Sequence, residues 1–97
     1  MSVTVFFDFR AAPGHADELL TLLLQGRDFG LTVPGCEAYE IHQGSDDPHR
    51  FMMVERWTSP EAHRKHFEKN VVASGVLDKA TSIMVEAPAP PVYYASR

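Results

Sequence analysis

Two histidines, His63 and His66, stand three residues apart in the segment that follows Ser59-Pro60-Glu61. Ser as N-cap, Pro in the first turn and an acid behind it mark a helix start, so both imidazoles fall on one helix face. Histidine titrates near neutrality, which suits His66 to take or relay a proton. Two imidazoles could also begin a metal site, but no carboxylate or thiolate stands at ligand spacing and no metal is expected. The run His63-Arg64-Lys65 reads equally well as a solvated helix face. Tyr39 offers a hydroxyl to a substrate oxygen, or is a core tyrosine with a wet tip. Glu55 and Arg56 alternate on a strand and point to opposite faces. An inward Glu55 needs a partner, because an unpaired buried charge is unfavourable, and an ion pair across a subunit boundary is expected rather than catalysis. Cys36 has no helix N-terminus or basic run beside it to make a thiolate, and no activating base can be named for it. There is no glycine-rich phosphate loop, Cys-x-x-Cys pair or serine elbow.

The elements that must position these residues follow from periodicity. Val3, Val5, Phe7 and Phe9 share one parity of a β-branched and aromatic run over residues 3–9, a strand. Pro13-Gly14 breaks the chain, and Ala16, Leu19, Leu20, Leu23 and Leu24 then recur at the spacing of one buried helical face, with Asp17 and Glu18 in the favourable first turn. This helix frays between Gly30 and Val33. After Pro34-Gly35 a second strand, residues 36–43, places Cys36, Ala38 and Glu40 on one side and Tyr39 and Ile41 on the other. Gly44 to Pro48 is turn chemistry, and Phe51 to Trp57 is a third strand, so residues 36–57 form a hairpin. The second helix runs from Pro60 to about Asn70, and a further helical piece over roughly 71–80 carries Val72, Val76 and Leu77. A fourth strand begins at Ile83–Glu86 and is interrupted by Pro88, Pro90 and Pro91 before Val92-Tyr93-Tyr94.

The order is βαββαβ, an α+β, ferredoxin-like antiparallel sheet with its helices on one face. The open face should be polar, yet Phe6, Met52 and Val54 lie on the parity opposite Phe7, Phe51 and Met53. Large exposed apolar patches are rare on monomers, so a second copy packed sheet on sheet is expected, as a homodimer. Phe7, Phe9, Phe51, Met53 and Phe67 could wall an aromatic and thioether pocket, or form a plain core.

The chain has 97 residues, enough for one domain, here 1–97 with a C-terminal arm over about 87–97. At 44% apolar and 23% charged residues it should fold. A formal charge of −4 disfavours a nucleic-acid partner, which needs a basic face. A single cysteine fits a reducing cytoplasm, no secretion signal is visible at the N-terminus, and no apolar run approaches the ~20 residues that span a bilayer, so no membrane partner is expected.

Four pieces occur together: Pro13-Gly14 opening the first helix; Pro34-Gly35-Cys36 leading into Tyr39; Asp46-Asp47-Pro48-His49-Arg50-Phe51 at the hairpin; and Glu55-Arg56-Trp57-Thr58-Ser59-Pro60-Glu61-Ala62 running on to His66. With these the chain resembles the antibiotic biosynthesis monooxygenase family of dimeric α+β barrels, over about residues 3–86. The resemblance implies a homodimer with one pocket per subunit, between sheet and helices. It implies oxidation of an aromatic phenol or quinol by O2 as co-substrate, with no metal, flavin or haem. Carried onto this sequence, His66 is the base or proton relay and Tyr39 a polar clamp. Phe7, Met53 and Phe67 line the pocket, with His63 beside them; Trp57 lines the pocket or its mouth, or packs as the anchor of the strand-to-helix corner. Many members carry a second histidine five residues after the first; here that position is Val71. Haem-degrading relatives use an Asn where this chain has Phe7, a Trp where it has His66 and a His where it has Val76, which argues against haem degradation. Other readings of the same scaffold are a ligand-binding or stress-response barrel without catalysis, and an isomerase or cyclase.

Overall fold

Val3, Val5, Phe7 and Phe9 are buried while Phe6, Asp8 and Arg10 are exposed, and that alternation defines β1 (Val3–Arg10). The computed structural model describes residues 1–97. β2 (Cys36–Gln43) and β3 (Arg50–Trp57) form the expected hairpin, and β4 (Tyr93–Ala95) completes an antiparallel sheet in the order β2-β3-β1-β4. The helices are α1 (Ala16–Gly30), α2 (Pro60–His66) and α3 (Val76–Ser82), with one π-helical turn, Phe67–Val72, between the last two. This is the α+β, ferredoxin-like arrangement that the element order implied.

Register places the inner side chains in pairs: Phe7 opposite Met53, Phe9 opposite Phe51, and Glu55 between Val5 and Tyr39. With Leu19 and Leu23 of α1, and Ile83 and Met84, they form one core, each large apolar side chain adding roughly 1.5–3 kcal/mol on burial. On the outer face Phe6, Met52 and Tyr94 stay exposed, and Phe6 meets Tyr94 edge to face at 5.6 Å between centroids.

Several expectations shift. The strand foreseen at Ile83–Glu86 is absent: Met84 makes only an isolated bridge to Ala11, while Ile83 and Met84 turn their side chains into the core. Pairing with β1 resumes at Tyr93, beyond the prolines, which have no N–H to give a ladder. The second helix stops being α-helical at His66, four residues before the expected end, and its continuation widens into the π turn, where Ala73 N–H donates to the Glu68 carbonyl. Gly75, at φ 84°, then supplies a left-handed residue that few side chains tolerate and starts α3. A bulge between Cys36 and Ala38 pairs Cys36 with Trp57, moving it to the inner face with Tyr39 rather than to the side of Ala38.

Helix α1 comes close enough to the sheet to touch the Tyr39 ring only because residue 30 is glycine: a Cβ there would sit 2.6 and 2.7 Å from ring carbons. Replacing Gly30 by Ala should therefore lower stability by roughly 1–2 kcal/mol despite the better helix propensity of alanine. Urea unfolding should show this as a lower midpoint with an unchanged slope; an equal or higher midpoint would mean that the helix can lift away without penalty.

Candidate functional site

Between the inner face and the helices lies a partly open cavity of about 80 Å³. Its floor is Phe7, Phe9, Tyr39, Met53 and Glu55 of the sheet; Leu22, Leu23 and Gly26 of α1 and Val76, Leu77 and Ala80 of α3 roof it. His63, His66, Phe67 and Val71 close one wall, and Met84 and Pro88 stand at the other end. Ring faces repeat along it: Phe7 stacks on Phe9 at 5.9 Å and on Phe67 at 6.3 Å, and Phe67 on His63 at 5.7 Å. A flat, largely apolar molecule matches such walls.

The polar groups are few and deeply placed. Glu55, His63 and His66 are 2%, 1% and 3% exposed. The Trp57 indole N–H donates to Glu55 Oε1 at 3.0 Å, and His63 Nε2 lies 3.7 Å from that oxygen, beyond hydrogen-bond reach. The Tyr93 hydroxyl sits 2.9 Å from His63 Nδ1, and the Asn70 amide nitrogen 3.1 Å from His66 Nδ1. Both Nε2 atoms are buried with no hydrogen-bond partner. Orphaned buried polar atoms are uncommon and unfavourable, and these two belong to residues that line the same pocket.

Burial dominates the titrations. It raises the Glu55 carboxyl to about 7 against the pull of the Trp57 hydrogen bond, and pushes the His63 imidazole down to about 4, with smaller contributions from His66 and Arg64. Burial also lowers His66 and raises Tyr39, the latter further through Glu55. A neutral His63 facing Glu55 is a dipolar contact rather than an ion pair.

Residues 2–73 match the antibiotic biosynthesis monooxygenase family. The chain belongs to that family. Solved structures share its fold: a protein of Nitrosomonas europaea named for the family is 18% identical, with a TM-score of 0.86 over 98% of this chain and 89% of that one. A Mycobacterium tuberculosis protein gives 18% identity and 0.85 over 100% and 96%. A Pseudomonas aeruginosa protein gives 24% and 0.80 over 98% and 95%. No functionally curated protein matches the sequence.

Of the residues that the family resemblance singled out, His66, His63, Tyr39, Phe7, Met53 and Phe67 all line the pocket. Trp57 does not: it is fully buried behind the wall, stacked on His66 at 5.0 Å and bonded to Glu55. His63 belongs to the buried side of α2, while Arg64 and Lys65 face solvent. The expected ion pair of Glu55 across a subunit boundary is corrected: its partners are Trp57 and His63 of the same chain, while Arg56 pairs outside with Glu37 at 3.4 Å. Val71, where many family members have a second histidine, is an apolar part of the wall. Sequence reasoning passed over Tyr93 and Asn70, whose bonds depend on the return of β4 and on the π turn. No group of three or more His, Cys, Asp or Glu is placed to hold a metal ion.

The titrations of Glu55 and His63 oppose each other in stability. The carboxyl, raised from 4.5 to about 7, is neutral in both states at low pH, so its burial becomes unfavourable as pH climbs from 4.5 through 7. The imidazole, lowered from 6.5 to about 4, removes stability as pH falls from 6.5 through 4. Glu55→Gln abolishes the first effect and leaves the second. Urea melts should show its stability relative to the native chain growing by roughly 2–3 kcal/mol between pH 5 and pH 8. A difference independent of pH would mean that the carboxyl titrates normally.

Proposed function

We propose that this family member oxidises an aromatic phenol or quinol with O2 in the pocket beneath its helices and needs no metal, flavin or haem to do so. The observation that carries the reading is the pair of unpartnered, buried imidazole nitrogens beside a buried carboxylate in an otherwise apolar, ring-lined pocket. A deprotonated phenol is electron-rich enough to reduce O2 itself, so the protein's tasks are to take a proton, hold the oxyanion and exclude water.

The stoichiometry closes without a reductant. A phenol with a free para carbon loses its hydroxyl proton, the phenolate gives one electron to O2, and superoxide joins the ring radical at that carbon. The resulting peroxide is protonated. Loss of the para C–H proton with O–O cleavage then gives the quinone and water. Every group that could serve the first proton transfer, whether His66, His63 or Glu55, lies on the wall or floor described above, with Tyr39 as a further polar contact.

Phe6, Met52, Val54 and Tyr94 on the outer face support the second part of the proposal, a homodimer closed sheet on sheet around its two-fold axis.

Oxygen uptake with a panel of hydroquinones and naphthols should exceed the uncatalysed rate, and His66→Ala should lower kcat by about 10²–10³. No uptake across the panel, or uptake unchanged in the variant, would overturn the reading. Tight binding of the same compounds without uptake would select a binding protein instead. Sedimentation should show a dimer that Phe6→Asp shifts toward monomer; a native chain that sediments as a monomer would remove the dimer.

A further inference from the structure

We propose that His63 and His66 act as neutral Nε2–H donors to the substrate oxygen, and that Glu55, rather than either histidine, takes the substrate's proton. This deepens the proposed oxidation and rests on that reading of the pocket.

Hydrogen-bond direction carries the assignment. In a neutral imidazole one nitrogen has the proton and the other a lone pair, and the bond made by one fixes the state of the other. The nitrogen of the Asn70 amide can only donate, so His66 Nδ1 accepts at 3.1 Å and the ring proton resides on Nε2. For His63 two observations agree. The Tyr93 phenol is a stronger donor than an imidazole N–H and faces Nδ1 at 2.9 Å. On the other side of the ring Nε2 lies 3.7 Å from Glu55 Oε1, where a proton is attracted and a lone pair would be repelled. Each ring thus presents an N–H that nothing in the protein accepts. Two such donors, on residues of one apolar wall, are suited to a phenolate oxygen that displaces the side chains covering them.

Neither nitrogen that could reach the substrate then has a lone pair for its proton. Glu55 does: it lies on the pocket floor, and Trp57 holds only its Oε1. The transfer balances simply. A Glu55 carboxylate oxygen accepts the hydroxyl proton, the charge moves to the phenolate, and the resulting acid later returns the proton to the peroxide oxygen. The titratable groups that interact with Glu55 are Cys36 and Tyr39 on β2, His63 on α2 and Tyr93 on β4. Burial keeps its carboxyl at about 7, so both protonation states are accessible near neutrality. Tyr93 and Asn70 are positioning residues: they touch no substrate and act by fixing the two tautomers.

Long-range proton–nitrogen NMR of the ligand-free protein, labelled in histidine, reads the tautomers directly and needs no substrate. Both rings should be Nε2–H at pH 7. Tyr93→Phe, which keeps the ring against His63 and removes only the hydroxyl, should convert His63 alone to a tautomer mixture; Asn70→Leu should do the same to His66 alone. A native Nδ1–H signal at either residue would overturn the donor assignment even if the oxidation is real. For the proton acceptor, 1-naphthol is added without oxygen and its red-shifted naphtholate absorption recorded. The native protein should generate naphtholate. Glu55→Gln should bind naphthol in its neutral form and, in air, lose about 10²–10⁴ in kcat. His66→Gln, which keeps an N–H donor, should still form naphtholate. Naphtholate in the Glu55 variant, or its loss in the His66→Gln variant alone, would return the base role to histidine. A failure of naphthol to bind at all would count against the proposed oxidation and leave the NMR result standing.

Discussion

A carboxylate 2% exposed to solvent cannot stand alone on the apolar floor of a sheet, and Glu55 sets much of what surrounds it. The indole N–H of Trp57, two residues along β3 and so on the same face, reaches back to its Oε1. That bond fixes a side chain which then serves as the flat backing for His66. His63 completes the arrangement from α2. Strand periodicity and helix periodicity thus meet at one atom: Glu55 and Trp57 are i and i+2 on a strand, and His63 and His66 are i and i+3 on a helix. Moving Glu55 or Trp57 by one residue would turn it to the opposite face of the sheet.

The helical end of this cluster depends on an irregularity. Regular α-helix would have carried on past His66, but the chain widens into a π turn over Phe67–Val72. Such turns are rare and recur at functional sites. Here the wider turn contains both Asn70, bonded to His66, and Val71 and Phe67, which close the pocket wall. At the other end, Tyr93 arrives from a strand of three residues held at the sheet edge by pairing with β1 and by the Thr4–Ser96 hydroxyl contact at 2.9 Å. The Arg64 guanidinium rests over the Tyr93 ring at 5.3 Å, tying the arm to the exposed side of α2.

Family membership and pocket chemistry carry different kinds of information. The fold is shared by proteins of 15–24% identity in very different organisms, and fold alone says little about reaction. The pocket chemistry of this chain is local: Phe7 and Phe67, Val71, and two histidines whose Nε2 atoms have no partner. An apolar Val71 makes that part of the wall a packing surface, which concentrates the polar contacts on His63, His66, Glu55 and Tyr39.

The amino-acid order by itself determined the βαββαβ succession, because alternation at Val3–Phe9 and Phe51–Trp57 and the leucine spacing of α1 are local consequences of backbone period. It also determined that His63 and His66 share a helix face, since that follows from 3.6 residues per turn once Ser59-Pro60 starts the helix. Only the tertiary structure decided how those faces are used. Whether α2 turns His63 toward Glu55 or toward water depends on packing against the sheet. Tyr93 meets His63 across 30 positions of chain that three prolines bend unpredictably. The bulge that turns Cys36 inward arises from how two strands must match lengths, and the glycine at 30 matters only because Tyr39 lies beneath it. Periodicity fixes which side of an element is apolar; contacts between distant elements depend on where each is carried, and that is settled by the energy of the whole packed chain.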